Sequence, residues 1–185
     1  MTYEERILLL DLARRSVYAA ATGEVAPDLP SDDVFSRAGG AFVTLKAGGM
    51  LRGCIGNFSG TGSLGATIRA MAREAAVCDP RFVPVSPAEV GRLTIEISVL
   101  SPMETIEAAD VLPGRHGLYI RRGNRAGTLL PQVAAEEGWD REAFLAHTCL
   151  KAGLSPQAYL EEGTEIFSYT AEVFSEKKTG KRVKK

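Results

Sequence analysis

Ala41-Phe42-Val43-Thr44-Leu45-Lys46-Ala47-Gly48-Gly49-Met50-Leu51-Arg52-Gly53-Cys54-Ile55 is the stretch whose reading decides the fold. Ala41 to Lys46 has the composition of a strand, Ala47-Gly48-Gly49 that of a tight connection, and Met50 to Ile55 that of the strand returning from it. Two strands joined this closely must run antiparallel, because a parallel pair needs a long crossover between them.

The same pattern recurs outward from this hairpin. Leu93, Ile95, Ile97 and Val99 alternate with Thr94, Glu96 and Ser98, as a half-buried strand requires. Gly117 to Arg122, a turn at Gly123-Asn124-Arg125, and Gly127 to Leu130 read as a second hairpin. Glu165 to Phe174 reads as one final strand. Helices fall between these groups. Thr2 and Glu5 form a capping box for a helix from Tyr3 to Ala21, Ser63 caps another that ends before Pro80, and Asp140 caps a third. Pro131 opens a short helix stopped by Gly138. Glu24 to Gly40 is a Pro, Asp, Ser and Gly loop with a helical turn near Asp32 to Phe35. The expected class is α+β, with a mainly antiparallel sheet and flanking helices.

Composition narrows the function. The 185 residues carry a formal charge of −1, which argues against a whole-domain nucleic-acid footprint. Cys54, Cys78 and Cys149 are widely spaced and odd in number, so they suggest neither a disulfide framework nor a cysteine-rich metal site, and they point to a reducing, cytoplasmic home. No apolar stretch is long enough to cross a bilayer, and Met1 to Leu10 has the wrong polarity for a signal peptide. The residues offer no metal site, and they leave any cofactor unknown. Residues 1–176 are expected to form the folded domain. Residues 177–185, with lysine or arginine at six positions, read as a basic flexible tail.

Chemistry concentrates around Cys54. Strict alternation along the strand would put Arg52 on the same face as the thiol, and a neighbouring cation favours the thiolate. Gly53 and Gly56 would leave backbone uncovered for a ligand to approach, with Arg81 as a further candidate ligand-binding residue. The helix after Ser63 would assist a thiolate if its N-terminus pointed back at this strand. His116, at a strand entrance, could pair with Cys54 in nucleophilic catalysis, and Asp79 could orient it. Each also has a bland reading: His116 as a satisfied turn residue, Asp79 before Pro80 as a turn initiator, and Cys54 as a small core residue. His147 reads as a packing residue and Glu96 as solvent-facing.

Several blocks then resemble one family. Leu51 to Gly56 (LRGCIG), Asp79 to Phe82 (DPRF), Glu96 to Ser101 (EISVLS), His116 to Ile120 (HGLYI), Leu129 to Ala134 (LLPQVA) and Lys151 to Leu154 (KAGL) are similar, in order, to the signature blocks of the AMMECR domain family. Its prokaryotic members include protein A of the AmmeMemoRadiSam system. The resemblance implies one compact domain with a larger lobe holding both termini and a smaller lobe, and a cleft between lobes lined by the signature blocks. It also implies that Arg52, Cys54, Asp79, Arg81 and His116 could converge, and that a Memo-like protein and a radical SAM protein are partners. It implies no particular reaction. The expectation is therefore an enzyme or enzyme subunit using Cys54 for modification or transfer chemistry on a small molecule or peptide. The alternative is a non-catalytic binding or scaffold module for an anionic ligand, a partner protein or, more weakly, RNA held through the tail and Arg121, Arg122 and Arg125.

Overall fold

In the computed structural model, which describes residues 1–58, 60 and 62–176, the hairpin is present and its strands are β1 (Ala41–Ala47) and β2 (Met50–Asn57). The basic tail lies outside the described residues. The chain divides into two compact units, one of Met1–Leu100 together with the stretch from Glu172 onward, the other of Ser101–Ala171.

The first unit is a four-stranded sheet with helices on one face. β1 pairs antiparallel with β2 and with β3 (Leu93–Leu100), and the strand order is β2-β1-β3-β8, where β8 is Ala171–Ser175. Val43, Leu45, Ile95 and Ile97 point into the core against α1 (Tyr3–Thr22) and α3 (Leu64–Val77), where Leu9, Leu12 and Ile68 meet them. The Thr2–Glu5 capping box starts α1, and Gly23, at φ 75°, ends it in the left-handed conformation that glycine adopts without steric cost. Two one-turn helices, α2 (Asp33–Ser36) and α4 (Pro87–Val90), complete this unit. Arg14 ties α1 to the sheet by donating to the Glu176 carboxylate and to the carbonyls of Val90 and Leu93.

The second unit has its own sheet, ordered β4-β7-β5-β6: β4 is Glu104–Thr105, β5 Gly117–Arg122, β6 Arg125–Leu129 and β7 Glu165–Tyr169. Leu118, Ile120 and Ile166 meet Phe144, Leu145 and Cys149 of α6 (Arg141–Lys151) and Ala134 of α5 (Pro131–Glu136) in a separate core. Both sheets are antiparallel in every pairing given by the described residues, so the class is α+β.

Two expectations are corrected. The final strand is two strands, β7 and β8, which break at Thr170 and enter different sheets. Thr170 pairs out of line with Ser101, donating its N–H to Ser101 Oγ at 2.9 Å and accepting from Ser101 N–H at 2.9 Å. This exchange lies where the chain changes units, and alternation of apolar residues carries no mark of it. The second correction concerns α3. Its last turn lies against β2 at Gly53, next to the cysteine, where the Ala75 carbonyl abuts the strand. The helix end nearest the cysteine therefore carries partial negative charge and does not assist a thiolate.

Candidate functional site: a thiol on a clamped edge strand

β2 is the edge of its sheet, so its outward backbone groups need partners from elsewhere. Asp79 and Arg81 provide them at Cys54. Asp79 accepts the Cys54 N–H at 2.8 Å, and Arg81 Nη2 donates to the Cys54 carbonyl at 3.0 Å. Arg81 also grips Asp79 at 2.9 Å through Nε and 2.6 Å through Nη2, while its own N–H donates to the same carboxylate at 3.1 Å. Two side chains thus imitate a neighbouring strand for one residue. Asp79 is only 4% exposed. The Arg81 guanidinium, followed by the N–H donors of Cys54 and Arg81, holds its carboxyl far below the usual carboxylate range against the opposing effect of burial.

Because both polar backbone groups of Cys54 face this clamp, neither faces β1. The Thr44–Cys54 pair is therefore the close, non-hydrogen-bonded kind, which brings side chains together. Thr44 Oγ1 donates to Cys54 Sγ at 3.3 Å. Thr44 is also in register with Glu96 on β3, and Glu96 accepts from Lys46 Nζ at 3.1 Å through each carboxylate oxygen. A polar row of thiol, hydroxyl and ion pair thus crosses the sheet on the face opposite α1 and α3. Cys54 is half-buried there. Glu96 is paired with Lys46, not simply turned to solvent.

Arg52 has a different role from the one alternation suggests. The register steps from Leu45–Gly53 to Lys46–Leu51, leaving Arg52 as the extra residue of a bulge, which re-aims its side chain. Its side chain is 14% exposed, and its guanidinium donates to Glu89 at 3.1 and 3.4 Å, and to the Val83 and Pro84 carbonyls at 3.0 and 3.5 Å. Glu89 is pushed down to about 2, first by the Ser86 N–H and then by Arg52 and the Ser86 hydroxyl. Arg52 fastens the Val83–Glu89 segment to the edge strand. The cation that touches Cys54 is Arg81.

Nor do the glycines of LRGCIG leave open space. A Cβ on Gly53 would lie 2.2 Å from the Ala75 carbonyl oxygen, and one on Gly56 would lie 2.2 Å from the Phe42 ring. Close approach is what they permit, but the approaching groups belong to the chain itself.

His116 belongs to the second unit. Its Nδ1 accepts the Leu112 N–H at 3.2 Å, which leaves Nε2 as the nitrogen able to carry a proton outward. Burial, with a smaller contribution from Arg115, makes it harder to protonate than an ordinary histidine. His147 stacks flat on Trp139 with ring centres 4.0 Å apart, a packing role. Cys149 is fully buried and its thiol is pushed up by desolvation, whereas Cys78 is exposed at the end of α3. Of the arginines read as a nucleic-acid surface, Arg121 pairs with Glu165, Arg122 with Glu161, and Arg125 donates to the Gly153 carbonyl. Among the described residues no group of three or more His, Cys, Asp and Glu side chains could hold a metal ion.

Thr44, Lys46, Phe82 and Glu89 were not singled out from sequence. The pairing of Thr44 with Cys54 follows from hairpin register alone, once the bulge is placed. Ser86-Pro87-Ala88-Glu89 carries the spacing of a helix-start motif, which the structure uses as a capping box.

The geometry defines a two-unit α+β protein built around a clamped edge-strand cysteine. A family model described as AMMECR1 matches residues 10–174, and the chain belongs to that family. A protein of Methanothermobacter thermautotrophicus is 40% identical over 185 residues, covering 95% of this chain and 96% of that one. Protein PF1979 of Pyrococcus furiosus is 44% identical, covering 91% of this chain and 86% of its own length. The crystal structure of an uncharacterized protein, PH0010 from Pyrococcus horikoshii, matches with a TM-score of 0.87 at 40% identity, covering 95% of this chain and 93% of that chain.

Proposed function

We propose that this protein is a thiol-dependent enzyme, or the thiol-bearing subunit of one, with Cys54 as the reacting group. The observation that carries this reading is the half-buried Cys54, whose sulfur receives the Thr44 hydroxyl at 3.3 Å while Asp79 and Arg81 fix its backbone on both sides. A hydroxyl donated to sulfur fixes the direction in which the sulfur points, and a clamped strand presents it in one geometry. In the reaction class this supports, Sγ bonds to an electron-poor carbon or sulfur of the substrate. The thiol proton passes to solvent, and the leaving group departs with the bonding pair.

Asp79 and Arg81 act as positioning residues and Arg52 braces the adjoining segment, with Gly53 permitting the helix to pack behind and Gly56 making room for the Phe42 ring on the thiol's own face. A Memo-like protein and a radical SAM protein are the proposed partners, with a small molecule or peptide as substrate. No described helix is long and apolar enough to cross a membrane, and three free thiols fit a reducing cytoplasm.

The test is complementation in a host deleted for its own copy. Cys54→Ser is expected to lose rescue of the deletion phenotype, while Cys78→Ser keeps it. Full rescue by Cys54→Ser would instead favour a binding or scaffold module in which the sulfur only packs.

A further inference from the structure

Among the described residues, the cations around Cys54 are each matched by a carboxylate. Arg81 faces Asp79, Arg52 faces Glu89, and Lys46 faces Glu96, at 2.6 to 3.1 Å. Most of the guanidinium donors are taken as well as the charge, Arg81 Nη1 being the one left over among the described residues. Arg52 uses Nε, Nη1 and Nη2 on Glu89 and two carbonyls, and Arg81 uses Nε and Nη2 on Asp79 and the Cys54 carbonyl. Between these two guanidiniums lies an apolar group. Phe82 has Arg52 at 6.0 Å and Arg81 at 5.5 Å from its ring centre, and the Val83 side chain beside it is 76% exposed.

An anion-selecting site looks different. It presents unpaired cations with free N–H groups, which focus field on the ligand and hydrogen-bond it. The contrast is available within this chain at Cys78, where Arg73 Nη1 lies 3.9 Å from the sulfur and has no carboxylate partner among the described residues.

We infer that the substrate group reaching Cys54 is uncharged, a neutral electrophile met by three charge-matched ion pairs and the Phe82 ring. The inference rests on the reading of Cys54 as the reacting thiol and deepens it. Carboxylates and phosphates are disfavoured because each would have to displace Asp79 or Glu89 from an arginine to gain a comparable grip. Glu89 and Glu96 act as specificity-determining residues, keeping Arg52 and Lys46 neutralised.

The test uses three thiol reagents of similar size on the intact protein: hydroxyethyl, sulfonatoethyl and trimethylammonioethyl methanethiosulfonate, which are neutral, anionic and cationic. In each case sulfur forms a disulfide with the reagent and methanesulfinate leaves. Rates are read site by site by mass spectrometry and normalised to a free thiol. At Cys54 the three normalised rates are expected to agree within about twofold, whereas at Cys78 the anionic reagent gains about threefold over the cationic one, the effect of one partly screened charge. Glu89→Gln or Glu96→Gln, each freeing one cation, is expected to give Cys54 a similar anionic preference and leave Cys78 unchanged.

An anionic preference at wild-type Cys54 equal to that at Cys78 would overturn the inference while leaving the thiol reading intact. So would the absence of any change in both glutamine variants. Silence of Cys54 toward all three reagents would overturn the thiol reading and this inference with it.

Discussion

Gly53→Ala is expected to cost about 3 kcal/mol of folding stability, and to lower the melting temperature by roughly 10 °C in a chain of this size. The new Cβ would stand 2.2 Å from the Ala75 carbonyl oxygen, which belongs to a helix backbone and has no rotamer with which to move aside. Relief requires α3 to lift from β2, separating Ile68, Ala72 and Ala75 from the strands they cover. Gly91→Ala is the control, since a Cβ there meets nothing within 4 Å and φ is −65°. Thermal melts should find Gly91→Ala within about 1 kcal/mol of the wild type. A benign Gly53→Ala would mean that the contact between helix and edge strand is looser than described.

Asp79→Ala is expected to cost a comparable amount, about 3 kcal/mol, because a buried acceptor of four donors disappears and the Cys54 N–H loses its partner. The loss should depend on pH in a definite direction. A carboxylate held below its unfolded value stabilises the fold at neutral pH, and that contribution ebbs as pH falls below the unfolded value near 4, where only the unfolded chain takes up the proton. Urea unfolding at neutral pH and near pH 3 should therefore show the gap between wild type and Asp79→Ala narrowing on the acid side. A gap that stays constant would show that Asp79 acts through shape and not through charge. Glu89, pushed down to about 2, contributes acid sensitivity of the same sign and remains present in both proteins.

Much of the fold was legible because its signals are local. The Thr2–Glu5 box, Ser63, Asp140, the two hairpin turns and the alternation of Leu93 to Val99 each specify an element within a few residues. The break at Thr170 was not legible, since Ile166 to Phe174 keeps its alternation across a change of sheet and only the distant Ser101 reveals it. The site divides in the same way. Cys54 and Asp79 stand out by residue type, and the structure joins them through a hydrogen bond across 25 positions. The role of Arg52 was misread because one bulged residue breaks the period of two on which face assignment depends. Thr44 carries no signal of its own and becomes a partner of the sulfur only through register.

We propose that the Cys54 sulfur, which receives the Thr44 hydroxyl at 3.3 Å, is reachable in the folded protein and reacts from that contact. Native-state alkylation with iodoacetamide, resolved by peptide mapping on wild type and Thr44→Val with Cys78 as internal standard, tests it directly. Cys54 should label in the folded wild type while Cys149 does not, and Thr44→Val should lower the Cys54 rate relative to Cys78 by about fivefold, the effect of one lost hydrogen bond. Labelling of Cys54 only on unfolding, together with Cys149, or a rate indifferent to the loss of the hydroxyl, would contradict the account.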